Sequence, residues 1–163
     1  PCDLAEAGQS LCLPRFSTVP DGKPDAEHRF TDSMSMLRIA DIDELEHGLT
    51  VNKWGIGEPS RFGRDSAPRQ DALDNETGGE GLDLIIAPGL AFDRTGHRLG
   101  HGKAYYDEYI RMAHMYARIH ALDTPTVLAL ALREQIVDQV PVEQHDVPVD
   151  VLISPDGILK DSQ

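Results

Sequence analysis

Cysteine, long apolar runs and positive charge are all scarce in this sequence, and each scarcity argues against a class of protein. Two cysteines, Cys2 and Cys12, exclude a disulfide framework and favour a reducing compartment. No apolar run is long enough to cross a bilayer, so we expect no membrane association. Positive charge is scarce too, because 15 Lys and Arg stand against 28 Asp and Glu, a formal net charge of -13. Such a balance argues against a nucleic-acid binder.

The chain also lacks an initiator methionine and a visible signal or transit peptide, since it begins at Pro1. We interpret it as N-terminally incomplete. Cytoplasm is the expected location, and a mitochondrial one would follow if a lost N-terminus had carried a transit peptide. With 163 residues we predict one domain over residues 1–163, and a monomer. Residues 61–81 are rich in Gly, Asp, Glu, Arg and Pro without periodicity, which predicts a flexible surface insertion.

The hydrophobic pattern predicts an α/β fold. In the second half, continuous apolar runs typical of buried parallel strands alternate with helical spacing; the strands are expected at 82–87, 126–132 and 149–153, and the helices from 106 and at 133–140. In the first half, we predict the end of a helix at 2–7, strands at 10–16 and 30–39, a surface turn at 19–27 and a short helix between Asp41 and Gly48. The expected architecture is a three-layer sandwich with a mostly parallel, twisted sheet.

A glycine-rich, cationic loop stands out against the acidic background. Gly96, Gly100 and Gly102 alternate with Arg94, Arg98 and Lys103, directly after an apolar run and before a predicted helix. Glycines allow backbone N–H groups to approach an anion, and a helix N-terminus adds partial positive charge. The loop therefore predicts phosphate binding.

Two common phosphate motifs do not describe this loop. A P-loop ending at Gly102-Lys103 would need glycine where His97 stands and Ser or Thr where Ala104 stands. A dinucleotide fingerprint begun at Gly100 would need glycine at Tyr105. A transition-metal site at His97 and His101 is disfavoured, because a glycine loop does not place them on a common face.

A more particular signature does match. Residues 98–107, RLGHGKAYYD, resemble the RLGxGxGYYD motif of the 5-formyltetrahydrofolate cyclo-ligases, also called methenyltetrahydrofolate synthetases. The preceding APGLAFDRTGHRLG and the segments SLCLPRF, MSMLRI, WGIGEP, LALALREQIVDQVPVEQHDVPVD and VLISPDG follow the family's order. The likeness covers nearly the whole chain outside the insertion. Ala104 departs from the glycine usual before Tyr-Tyr, which predicts weakened binding if that position needs positive φ.

The resemblance implies an ATP- and Mg²⁺-dependent closure of 5-formyltetrahydrofolate to 5,10-methenyltetrahydrofolate, releasing ADP and phosphate. The expected partners are ATP and a reduced folate. By the same resemblance, Arg98 and Lys103 are catalytic and Asp107 and Asp146 hold the metal. ATP is expected to contact Arg98, Leu99, Gly100, His101, Gly102, Lys103, Ala104, Tyr105 and Tyr106. Folate is expected to contact Trp54, His101, Gly102, Lys103, Ala104 and Tyr105.

Two other readings stay open. Family members have an N-terminal basic helix and a first strand that this chain lacks, so it could be a non-catalytic remnant that binds nucleotide or folate without turnover. An unrelated α/β protein that binds a sugar phosphate fits the loop chemistry, but it does not explain the flanking motifs.

Overall fold

The computed structural model describes residues 9–18, 32–52 and 54–161. The predicted helix end at 2–7 and the turn at 19–27 lie outside these residues. The elements are β1 Cys12–Thr18, β2 Asp32–Arg38, α1 Ile42–His47, β3 Thr50–Val51, β4 Gly57–Glu58, β5 Leu84–Ile86, β6 Ala91–Phe92, β7 Arg98–Leu99, α2 Tyr105–His120, β8 Thr126–Leu130, β9 Val151–Ser154 and β10 Gly157–Lys160. Short 3-10 helices span Asn75–Thr77 and Arg133–Gln135.

The chain forms two compact units, Pro1–Glu80 and Gly81–Gln163. The single domain expected over the whole chain stays a prediction. No helix within the described ranges is long and apolar enough to cross a membrane.

The first unit is built on an antiparallel pair, in which β1 and β2 align Phe16 with Met34 and Leu13 with Leu37. Met34 and Met36 are buried on β2, as the strand prediction for residues 30–39 requires. The helix α1 follows, and its prediction is confirmed at both ends. Asp41 Oδ1 accepts a hydrogen bond from Glu44 N at 2.7 Å, and Gly48 is the C-cap.

Part of the predicted insertion joins this unit. Arg38 N donates to Gln70 O and Ala72 N to Met36 O, both at 2.9 Å, so residues 70–72 run along β2. Ala72 is buried. The contact of this stretch with β2 was not expected from the sequence, because an isolated bridge leaves no periodicity there. The flexibility of the segment stays a prediction.

The second unit contains a four-stranded sheet in the order β10-β9-β8-β5. β5 pairs with β8 and β8 with β9 in parallel, while β10 returns antiparallel at the edge. The mostly parallel sheet is confirmed. A parallel pair needs a crossover connection, and α2 lies between β5 and β8 in the chain. Its buried residues Tyr109, Ile110, Ala113 and Ala117 confirm the helical spacing expected from Tyr106 onward.

Two details of this unit differ from expectation. Ile85 is buried, but its neighbours Leu84 and Ile86 on β5 are 49% and 56% exposed, so the strand is buried on one face rather than both. A helix was predicted at 133–140, whereas a 3-10 turn covers only Arg133–Gln135. The chain is extended after this turn. Val137 N donates to Phe92 O at 2.9 Å, so this amide has a hydrogen-bond acceptor without a helix.

Candidate functional site

The glycine-rich loop leads from the hairpin β6–β7 into α2. Phe92 pairs with Arg98 across the hairpin, and Gly100, His101, Gly102 and Lys103 are all exposed. Gly102 has φ +72, a left-handed conformation that favours glycine, and a Cβ added at Gly100 or Gly102 would meet nothing within 4 Å. The backbone of this loop is therefore open to a ligand.

The helix α2 begins without a side-chain cap. Its N-cap is Ala104, at φ 52 and ψ 16, which makes no side-chain hydrogen bond to the first turn. Because the first N–H groups of a helix lack intrahelical acceptors, this end can bind an anion. The negative charges of Asp107 and Glu108 in the first turn oppose the binding of an anion. The positive charges of Arg98 and Lys103 offset them.

The centre of the site is the ion pair between Arg98 and Asp107. Arg98 Nη2 lies 2.7 Å from Asp107 Oδ1, and the two side chains are only 6% and 11% exposed. The guanidinium carbon also lies 6.0 Å from the centroid of the Tyr106 ring. Arg98 Nε is buried without a hydrogen-bond partner. Burial raises the pKa of Tyr106, and the Arg98 charge opposes this only in part, so the phenol stays neutral at physiological pH.

Asp107 also connects α2 to the segment that carries Asp146. Val147 N donates to Asp107 Oδ1 at 2.9 Å, although the two residues are 40 positions apart. Asp146 is half-buried, and its Oδ2 accepts from Glu143 N at 2.8 Å. The structure thus brings Arg98, Tyr106, Asp107 and the backbone next to Asp146 together.

This donor set fits Mg²⁺ better than a softer metal. The described part of the chain contains no cluster of three or more His, Cys, Asp or Glu able to hold a metal ion. Mg²⁺ needs fewer protein ligands, because it takes one or two carboxylates and completes its shell with phosphate oxygens and water. Both observed contacts of the Asp107 carboxylate use Oδ1, and the Asp146 carboxylate accepts from the Glu143 amide through Oδ2.

The remaining expected site residues differ in their setting. Leu99 is exposed, and Ala104 and Tyr105 are half-buried at the start of α2. Trp54 belongs to the first unit, where the residue is 67% exposed in a turn closed by Asn52. Its place in a folate pocket stays a prediction.

One buried carboxylate of this region was not predicted. Asp93 is buried and accepts hydrogen bonds from the backbone and side chain of Thr95 and from the amides of His97 and Val140. Burial raises its pKa, but these hydrogen bonds outweigh that and lower it well below the usual range, so the group is ionised. The sequence AFDRTGH contains a hint, because Asp before such a turn often closes it with its side chain. The contact with Val140 leaves no sequence signal.

Comparisons with known proteins identify the family of this chain. The family model of the 5-formyltetrahydrofolate cyclo-ligases matches residues 2–155. A relative from Mus musculus, named 5-formyltetrahydrofolate cyclo-ligase, is 38% identical over 155 residues, and the match covers 95% of this chain and 64% of that protein. A relative from Arabidopsis thaliana, named as the mitochondrial enzyme, is 35% identical, with 78% of this chain and 46% of that protein covered.

A solved structure is also similar. The NMR structure of the Aquifex aeolicus 5,10-methenyltetrahydrofolate synthetase matches 98% of this chain and 65% of its own chain, with a TM-score of 0.54 and 25% identity. This chain therefore spans less than two thirds of the length of these relatives. The family model covers well over half of the sequence, and the loop, the helix and the carboxylate of Asp107 lie inside the match. The chain belongs to the 5-formyltetrahydrofolate cyclo-ligase family.

Proposed function

We propose that the protein carrying this chain closes 5-formyltetrahydrofolate to 5,10-methenyltetrahydrofolate with ATP and Mg²⁺, releasing ADP and phosphate. The observation that carries the proposal is the carboxylate of Asp107, which pairs with Arg98 and binds the amide of Val147 at the end of the family's loop. Membership of the family and the names of the relatives support the reaction class.

The loop and the start of α2 are assigned to the phosphates of ATP. The exposed backbone of residues 100–103 and the uncapped first turn present N–H groups, and the ammonium of Lys103 adds positive charge. The contact set is Arg98, Leu99, Gly100, His101, Gly102, Lys103, Ala104, Tyr105 and Tyr106. Phosphoryl transfer depends mainly on such positioning and charge neutralisation, so we assign Lys103 and Arg98 to the charge that develops on the transferred group.

Asp107 and Asp146 are assigned to the metal. Mg²⁺ held by these carboxylates would neutralise negative charge on the phosphates of ATP. Within the chain, Arg98 orients Asp107 through the ion pair, and Val147 N keeps that carboxylate next to the segment of Asp146. In the proposed reaction the formyl oxygen takes the γ-phosphoryl group of ATP, N10 attacks the activated carbon, and phosphate leaves as the ring closes.

The reaction is tested by the absorbance of the methenyl product. We expect the full-length protein to form it from 5-formyltetrahydrofolate only when ATP and Mg²⁺ are both present, and the 163-residue chain serves as the comparison. Absence of product from a folded full-length protein would refute the proposal. Binding of nucleotide or folate without product would support the non-catalytic alternative.

The indole of Trp54 is assigned to the folate, because it offers a largely exposed aromatic face on which a pterin or aminobenzoyl ring can stack. Replacing Trp54 by alanine is expected to weaken folate binding by about two- to tenfold, since an aromatic pair contributes roughly 0.5–1.5 kcal/mol. Phe62→Ala is the control, because Phe62 is an exposed aromatic residue of the same unit. Equal calorimetric affinities for Trp54→Ala and wild type would remove Trp54 from the site.

The family usually has glycine at the position of Ala104, so we expect the Ala104→Gly variant to be more stable and to bind ATP more tightly. Ala104 is left-handed, at φ 52, so Ala104→Gly is expected to relieve about 0.5–1 kcal/mol of strain and to tighten ATP binding. Ala121 is a matched control, because it caps the other end of α2 at φ 54. Ala121→Gly should raise the unfolding free energy in the same way and leave ATP affinity unchanged. A fall in ATP affinity for Ala104→Gly would contradict the proposal that its methyl group hinders phosphate approach.

We propose finally that the fold is a three-layer sandwich. Mostly parallel sheets are usually covered on both faces. Leu84, Ile86 and Leu130 leave an exposed apolar surface on β5 and β8, which a second helical layer would bury.

A further inference from the structure

The segment 137–149, which contains Asp146, is fastened by four of its backbone N–H groups. Those of Val137 and Val149 donate to carbonyls of the β6–β7 hairpin, Phe92 O and Gly96 O, both at 2.9 Å. The other two donate to carboxylates, Val140 N to Asp93 Oδ2 at 3.1 Å and Val147 N to Asp107 Oδ1 at 2.9 Å. The seven-residue step from Val140 to Val147 is therefore bounded by two buried aspartates.

Asp93 uses its two oxygens for two different tasks. Oδ1 accepts from Thr95 N at 2.9 Å, Thr95 Oγ1 at 2.5 Å and His97 N at 3.1 Å, which closes the turn directly before Arg98. Oδ2 accepts from Val140 N and lies 3.4 Å from His97 Nδ1. One side chain, only 4% exposed, thus joins the hairpin turn to the segment that carries Asp146.

We propose that Asp93 is a positioning residue for the metal site, setting through Val140 the place of Asp146 relative to Asp107. The inference rests on the proposed function, since it assumes that these two carboxylates bind Mg²⁺. In this proposal Asp93 acts through the backbone of residues 140–147 and is not itself a ligand of the metal or the nucleotide.

The chemistry of Mg²⁺ gives such a residue a purpose. The ion demands near-octahedral geometry at short oxygen distances, so a ligand on an extended segment needs its backbone fastened on both sides. Of the four hydrogen bonds that fasten the segment, those nearest to Asp146 on either side are made by Asp107, at Val147, and by Asp93, at Val140. Groups that orient metal ligands typically change metal affinity by 10- to 100-fold when they are removed.

The test is the affinity of the full-length protein for Mn²⁺, measured by water-proton relaxation with ADP present. Asp93→Asn keeps the size of the side chain. It can still accept from Thr95 and His97 through one oxygen, but it turns an amide N–H₂ group toward Val140 N. We expect Mn²⁺ to bind about 10- to 100-fold more weakly.

Two control variants separate positioning from general stability. Thr95→Ala removes one donor to Asp93 Oδ1 and leaves the contact with Val140 in place. Glu44→Gln weakens a buried ion pair of the first unit. Both should lower the melting temperature while keeping Mn²⁺ affinity within about twofold of wild type, because neither breaks a contact that orients a proposed metal ligand.

A second measurement uses the wild type alone, so it does not depend on a variant that folds. The amides of Val140 and Val147 should both be protected from hydrogen exchange, and rapid exchange at Val140 would overturn the inference. Unchanged Mn²⁺ affinity in folded Asp93→Asn would also overturn it and would leave the proposed function standing. Failure of the wild type to bind Mn²⁺ would overturn the metal site and this inference together. The Mn²⁺ titration of the wild type therefore distinguishes a failure of the proposed function from a failure of this inference alone.

Discussion

Replacing Asp107 by asparagine is expected to lower turnover by about 10²- to 10³-fold and to destabilise the protein by about 3–5 kcal/mol. The stability loss follows from burial, because Arg98 is 6% exposed and would keep its charge without the carboxylate. The loss of turnover follows from the proposed metal role, since an amide binds Mg²⁺ less well than a carboxylate. Product absorbance and denaturant unfolding of the full-length protein measure the two effects.

A double variant separates the two roles of Asp107. Replacing a buried ion pair by apolar residues of similar size is often neutral for stability, so Arg98→Met with Asp107→Leu should recover most of the unfolding free energy. It should not recover turnover, because both the carboxylate and the guanidinium are gone. Full turnover in Asp107→Asn would exclude the metal role, and unchanged stability would show that the ion pair contributes nothing.

Replacing Arg69 by methionine is expected to cost about 3–5 kcal/mol of unfolding free energy in the first unit. Arg69 Nη2 lies 2.6 Å from Glu44 Oε1, Nη1 donates to Glu44 Oε2 at 3.0 Å, and the two side chains are 7% and 4% exposed. Arg69 also donates to the carbonyls of Ser60 and Arg38, so its loss leaves acceptors unsatisfied as well as a buried carboxylate.

The control for Arg69 is Arg64. Its guanidinium lies 2.6 Å from Asp43 Oδ2, but the side chains are 54% and 71% exposed. Because exposed ion pairs contribute about 0–1 kcal/mol, Arg64→Met should change stability far less than Arg69→Met. Similar losses for the two variants, measured by urea unfolding, would contradict the argument from burial.

The pH dependence of this pair has a definite sign. The hydrogen bond from Arg69 lowers the pKa of Glu44 and outweighs the opposing effect of burial. A depressed pKa contributes stability above the unfolded value, about 4.3 for Glu, and that contribution is lost as the pH falls through the folded value. The stability difference between wild type and Arg69→Met should therefore be greatest above about pH 5 and shrink on acidification. A difference that grows below pH 4 would refute this assignment.

Much of the molecule could be predicted where the physical cause is local. Asp41 and Gly48 bound α1 because capping involves groups three or four positions apart. Ile110, Ala113 and Ala117 lie on the buried face of α2 because helical geometry repeats every 3.6 residues. The loop signature at 98–107 identified the family, since it is a contiguous motif.

Other features depend on contacts between distant residues. The predicted burial of both faces of β5 is not met in the described residues, because exposure depends on what covers a strand and the strand's own pattern does not contain that. The partners of Arg98 and Asp93 were likewise not predicted. Asp107 meets Val147 across 40 positions and Asp93 meets Val140 across 47, and both acceptors bind backbone N–H groups, which every residue except proline has.

The sequence by itself therefore determined the family, the parallel α/β pattern of the second unit and the extent of the glycine-rich loop. The tertiary structure decided that Asp107 pairs with Arg98 and reaches the segment of Asp146, and that Asp93 fastens the same segment. The physical reason is the range of the interactions. Capping, periodicity and motif chemistry act within one or two turns of the chain, whereas burial of a charge and its pairing depend on residues that only folding brings together.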